Sequence, residues 1–106
     1  MRAENVRICS VVRAELQFGA RNSSRIEANL SLLDTFLFPF TSVTFDDGAA
    51  NYYGRIRGDL HRAGKLIGPN DLLIAAIALA NDLVLVTHNV KEFGRIPGLR
   101  WEDWED

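Results

Sequence analysis

Four side chains in this sequence could do chemistry because of where they fall: Glu15, Asp71, Asn89 and Glu92. Asp71 sits within "IGPNDLLIAAIALAND" (67–82), and the nine residues after it, "LLIAAIALA", are all apolar. A helix that is apolar all round is buried as a rule. An acid at its mouth therefore serves the helix end or serves chemistry there. Gly68 and Pro69 suit a helix start, because proline's missing N–H costs nothing at the first position. Asp71 then falls in the first turn, where the positive end of the helix dipole stabilises a carboxylate by ~0.3–1 kcal/mol. Taken singly, Asp71 needs no other explanation. Glu15 follows Val11 and Val12 by about one turn and borders an apolar face; alone it reads as a solvated edge residue. "THNVKEF" (87–93) supplies Thr87, Asn89 and Glu92 directly after an apolar run, where Asn89 could be a turn residue and Glu92 a surface acid. His88 and His61 are isolated, and a ligand role is the less expected one for each.

Together these residues imply more. Two acids about 4 Å apart repel by ~4 kcal/mol at an effective dielectric constant of 20, so a cluster of them requires a cation. Carboxylate oxygens without cysteine or a histidine pair suit the hard ions Mg²⁺ or Mn²⁺. Such an ion supports phosphodiester hydrolysis by activating water and stabilising the leaving oxygen.

The elements that must position these groups alternate. "VRICSVV" (6–12) reads as a strand that runs into a short helix, "RAELQFGARN", ending near Gly19. "SSRIEANLSLLDTFL" (23–37) carries Ile26, Leu30, Leu33 and Leu37 at helical spacing, with serine caps before it and Pro39 after it. "TSVTF" (41–45) is a short strand. "DDGAANYYGRIRGDLHRAG" (46–64) is a long helix capped by Asp46 or Asp47, with Ala49, Tyr53, Ile56 and Leu60 as its buried stripe. The apolar helix follows, then "LVLVT" (83–87), which reads as a strand covered on both faces, and "LRWEDW" (99–104) as a last strand. Alternating strands and helices indicate an α/β sandwich with a mainly parallel sheet flanked by helices. In such sheets ligands bind beyond the carboxyl ends of the strands. The segments carrying Glu15, Asp71 and Asn89–Glu92 can all open onto that edge.

The bulk numbers fit one domain over residues 1–106, with 47 % hydrophobic and 25 % charged residues. Nine consecutive apolar residues fall far short of the ~20 that span a bilayer, so no membrane role is expected. "MRAENVR" lacks an apolar signal region, and a single Cys9 fits a reducing cytoplasm. The net charge is −2, and four of the fourteen acids lie in the last five residues. The remaining body is slightly basic, which neither requires nor excludes RNA.

"ICSVVRAELQFGA" and "YYGRIRGDLHRAGKLIGPNDLLIAAIALANDLVLVTHNVKEFGRIPGLRWEDW" resemble the VapC-type PIN-domain ribonucleases of toxin–antitoxin pairs, over nearly the whole chain. The order and spacing of "IGPNDLLIAAIAL…LVLVTHNVKEF" carry the resemblance best. It implies a PIN-like sandwich and a cluster of acids that binds Mg²⁺ or Mn²⁺ and cleaves RNA. Glu15 in "AEL" and Asp71 in "PND" would be catalytic metal ligands, with Glu92 as a further acid and Asn89 assisting. Arg13 and Arg95, near the expected mouth, could position RNA phosphates. A VapB-like antitoxin and a second copy of the chain are the implied partners. Tyr52, Tyr53, Phe36, Phe38 and Phe40 offer apolar surface for such contacts, with Tyr53 and Phe36 expected in the core.

The sequence departs from the family in one respect. Family members begin with an apolar strand ending in Asp, a principal metal ligand, whereas here "MRAENVRICSVV" reads as entering the second strand. "LLDT" (32–35) imitates that motif in letters only, because Asp34 lies within the helical stripe. The expectation is thus an α/β PIN-like fold, N-terminally truncated, with its first, central strand missing. An alternative follows: a remnant that no longer cuts and serves as an antitoxin-binding or dimerisation module. A flavodoxin- or receiver-like domain is disfavoured, because no glycine-rich phosphate loop follows the first strand.

Overall fold

In the computed structural model, residues 6–104 are described, and the chain divides into two compact units, Met1–Thr44 and Phe45–Asp106. In the first unit, β1 (Arg7–Cys9) leads directly into α1 (Ser10–Arg21), followed by α2 (Ile26–Leu37) and β2 (Thr41–Val43). β1 and β2 are parallel, with Ile8 opposite Ser42. The strand expected over 6–12 therefore stops at Cys9, and Val11 and Val12 are helical. Helix also runs past Gly19 to Arg21. Two β-branched residues lower helix propensity only slightly, too little to resist a helix that is propagating from Ser10.

The expected serine caps of α2 are absent: its N-cap is Arg25, without a side-chain cap bond. Ser23 turns back instead, donating to the Ala20 carbonyl and accepting from the Asn29 amide. Along the α2 stripe, Leu37 is buried while Ile26 is exposed. Asp34 faces solvent, as expected. Phe36 does not join the core; it is 57 % exposed and stacks edge-on against Phe40. Phe38 is 90 % exposed.

The second unit is organised by two helices, α3 (Asp47–Arg62) and α4 (Pro69–Ala80), which pack on one another. Asp46 caps α3 by accepting the Ala49 N–H at 2.9 Å, a bond of the kind that contributes about 1 kcal/mol. Ala49, Ile56 and Leu60 form the buried stripe of α3, while Tyr53 is only half-buried, edge-on to Phe45. α4 is buried at Leu72, Ile74, Ala75, Ala76, Ile77 and Ala78. Its apolar sequence is explained by that burial, and its four alanines let neighbouring backbone approach closely. Pro69 opens α4, as its sequence implied.

After α4, Asp82 adopts φ +52°, a left-handed turn that aspartate tolerates better than most residues. Arg100 donates to both its carbonyl (3.0 Å) and its carboxylate (2.8 Å). β3 (Leu85–Val86), α5 (Val90–Phe93) and β4 (Trp101–Glu102) complete the unit. β3 and β4 are parallel, Leu85 opposite Trp101. "LVLVT" is not covered on both faces. Leu83, Leu85 and Thr87 are half-buried while Val84 and Val86 are exposed, so alternate residues face the core, as in a one-sided strand. Among the described residues, the strands form two separate two-stranded parallel sheets rather than one. No helix among them is long and apolar enough to cross a membrane.

Candidate metal-binding site

β3 and β4 run in the same direction, so the chain leaves β3 at its carboxyl end through Thr87, whose N–H donates to the Glu102 carbonyl at 2.9 Å. Thr87 then shapes the next turn. Its Oγ1 accepts the Asn89 N–H at 3.0 Å, which fixes the backbone from which the Asn89 side chain projects. Asn89 is also the N-cap residue of α5, and Glu92 lies one turn on, within that helix.

The Asn89 side chain bridges two carboxylates. Its Nδ2 donates to Asp71 Oδ2 and to Glu92 Oε2, both at 3.3 Å. Two acids and an amide from two segments, Asp71 at the start of α4 and Asn89 with Glu92 eighteen or more residues later, thus converge on one point. Gly68 is the N-cap residue of α4, and its backbone N–H helps to lower the Glu92 titration. Asp71 occupies the first turn of α4, where the positive helix end favours its ionised form.

The Asp71 carboxyl, within hydrogen-bonding reach, is the main reason Glu92 titrates below the usual glutamate range. Partial desolvation opposes that shift, while the Asn89 amide, the Gly68 N–H and the positive charge of Arg95 reinforce it. A lowered folded-state value means that this contribution to stability is fully present above about pH 4.3, where an unfolded glutamate titrates. It is lost as pH falls through the lowered value. A carbon-13 NMR titration of the Glu92 carboxyl is expected to show a midpoint below that of an ordinary glutamate. Asn89→Ala should move it upward, and a midpoint unmoved by that change would remove the amide from the account.

Arg95 lies beside this cluster, where its charge acts on Glu92. Its Nη1 is directed at backbone, donating to the Leu66 carbonyl at 3.1 Å with a longer contact to Lys65 at 3.5 Å. Glu15 and Arg13 belong to α1 of the first unit. The Glu15 side chain is exposed there, and Arg13 is half-buried with its Nε enclosed and unpaired among the described residues. His88 pairs with Asp103 at 3.4 Å. Sequence reading places Thr87 at this edge without assigning its hydroxyl a role, and it does not foresee the backbone contact of Arg95. The Thr-x-Asn spacing, typical of a side-chain-closed turn, is the signal available for the hydroxyl.

Among the described residues no three His, Cys, Asp or Glu side chains gather as a metal cage. The donor set that does converge, Asp71, Glu92 and the Asn89 amide group, offers only hard oxygen donors once the amide presents its carbonyl. That set fits a hard divalent cation which keeps several waters and a substrate oxygen. It does not fit zinc held by nitrogen and sulfur.

The family model described as PIN domain matches residues 1–99. Ribonuclease VapC2 of Rickettsia felis is 46 % identical over 100 residues, covering 94 % of this chain and 75 % of that protein. The tRNA(fMet)-specific endonuclease VapC of Shigella flexneri is 41 % identical over 97 residues, covering 92 % and 74 %. Among solved structures, VapBC2 from Rickettsia felis bound to a promoter DNA fragment superposes with a TM-score of 0.89 at 46 % identity, over 93 % of this chain and 74 % of that one. VapBC-1 from nontypeable Haemophilus influenzae gives a TM-score of 0.91 at 34 % identity, over 98 % and 78 %.

Proposed function

Because the chain belongs to the PIN-domain family and is similar there to the VapC ribonucleases, we propose that it is a ribonuclease toxin of a toxin–antitoxin pair, hydrolysing RNA phosphodiesters. The single observation that carries this reading is the convergence of Asp71, Asn89 and Glu92 on one point at the carboxyl end of β3. Asp71 and Glu92 would hold Mg²⁺ or Mn²⁺, with Asn89 turning its amide oxygen toward the ion and Glu15 supplying a further carboxylate. When bound, the cation supplies the Lewis-acid chemistry of phosphodiester hydrolysis. Asp71 lies at the positive end of α4, and the neighbours of Glu92 hold its carboxyl below the usual glutamate range, an arrangement suited to a cation. Thr87 fixes the backbone of Asn89, and the resemblance to the VapC ribonucleases implies a phosphate-positioning role for Arg13.

The whole chain, 1–106, acts as one PIN domain in this reading. Its partners are an antitoxin, by analogy with the VapBC complexes it resembles, and a second copy of itself. Incubating the chain with RNA in Mg²⁺ should produce cleavage that a chelator stops and added Mg²⁺ or Mn²⁺ restores. Chelator-resistant cutting would sink the metal assignment.

One observation favours a second reading. Only two acids converge among the described residues, and a sparse donor set binds its cation weakly. A chain that binds antitoxin without metal and cuts no RNA at any Mg²⁺ concentration would be an interaction module.

A further inference from the structure

The loop that launches α4 and the helix that carries Glu92 are separated by more than twenty residues, yet they must stay in register for the site to exist. Lys65 and Leu66 are exposed, and Ile67 is the buried anchor of the loop. Their carbonyls precede the first turn of α4 and take no part in its hydrogen bonding. Arg95 meets them from the other segment. Its backbone is fixed by a turn, its N–H donating to the Glu92 carbonyl at 3.1 Å, and the next residue, Ile96, is buried. From that base Nη1 reaches Leu66 at 3.1 Å and Lys65 at 3.5 Å.

We propose that Arg95 is a positioning residue, a latch that ties the Lys65–Gly68 loop to the α5 segment and so holds Asp71 and Glu92 in one constellation. This deepens the metal-dependent reading and rests on it. A guanidinium is always charged and only donates, so it suits carbonyls that would otherwise face water. The sequence alone suggested a phosphate contact for Arg95. The geometry instead directs its Nη1 at backbone, and the two roles make different demands. A phosphate contact needs charge at the site mouth, which lysine also provides. A latch needs reach to Leu66, which the shorter lysine side chain lacks.

The readouts that decide the latch need no RNA. Nitrogen-15 relaxation of residues 65–71 and Mn²⁺ binding followed by electron paramagnetic resonance would be measured on the full chain and on Arg95→Ala and Arg95→Lys. The latch predicts that Arg95→Ala lowers backbone order parameters at Lys65–Gly68 from the rigid range near 0.85 toward about 0.6. It also predicts Mn²⁺ affinity about tenfold weaker, the low end of what partners outside the metal ligands command. Arg95→Lys should recover only part of each. Unchanged loop order and unchanged Mn²⁺ affinity in Arg95→Ala would overturn the latch, and a rise in KM for RNA that Arg95→Lys repairs would reassign the residue to phosphate. If the unaltered chain takes up no Mn²⁺, the metal reading fails. The order parameters then still decide the latch, since they require no cation. A urea midpoint near that of the parent shows that a variant is folded.

Discussion

Asp71→Asn should abolish Mg²⁺-dependent RNA cleavage while leaving α4 folded. Asparagine has nearly the same shape as aspartate, so the first turn of α4 and its packing against α3 persist. What disappears is one of the two negative charges that meet at the Asn89 amide. Replacing partners outside the metal ligands typically costs 10–100-fold in metal affinity, so removing a ligand charge should cost at least about a hundredfold. The stability loss should be small, because an acid at an exposed helix N-terminus contributes only ~0.3–1 kcal/mol. The decisive comparison is the Mg²⁺ dependence of cleavage beside a urea melt of the same samples. If the variant cuts RNA as fast as its parent at the same Mg²⁺ concentration, Asp71 serves only the helix end.

Ile77→Ala should have the opposite profile: a large loss of stability with no direct effect on the chemistry. Ile77 is 1 % exposed, the most enclosed large side chain among the described residues. It lies two turns after Asp71 on the helix that packs against α3. Truncating a buried isoleucine to alanine costs 2–5 kcal/mol as lost transfer energy plus a residual cavity, and about 3 kcal/mol is expected here. Against a total of roughly 5–15 kcal/mol, that is a large fraction. Equilibrium urea unfolding measures it, with the half-buried Leu79→Ala as the milder control. Equal losses at the two positions would show that α4 is not packed as described. Folded Ile77→Ala should still bind Mn²⁺ with the parent's affinity.

The parts of the fold that were legible in the sequence are those where one physical signal dominates. The nine apolar residues after Asp71 fixed α4 as a buried helix, with Pro69 marking its start and Asp71 in its first turn. Asp46 was legible as a cap because an aspartate followed by small residues has few other uses there. The errors have physical sources as well. In "LVLVT" every residue is apolar or β-branched, so composition hides which alternate residues face the core. At Val11 and Val12, strand preference is weak beside helix propagation from Ser10. Phe36 reads as core by type, yet its exposure is set by what α2 packs against, a property of tertiary structure alone. At the site, Asp71 and Glu92 could be singled out from their places beside an expected helix start and strand end, while the roles of the Thr87 hydroxyl and the Leu66 carbonyl could not. They act through a short hydroxyl and a backbone carbonyl, groups whose use depends on where the fold brings them.

The α3–α4 pairing also has a consequence for the order in which this molecule assembles. The two helices are neighbours in sequence, joined by the short loop 63–68, so closing that hairpin costs little chain entropy, and such local contacts form fast. Asp71 is therefore placed early, when α4 docks. Asn89 and Glu92 arrive later, because their turn depends on the pairing of β3 with β4, whose strands lie some fifteen residues apart. The α3–α4 hairpin is therefore expected to form before both halves of the acidic constellation are in place. A cation that needs both halves is a ligand of the finished unit alone. Such a cation would not be expected to speed folding, and by binding only the folded state it would slow unfolding.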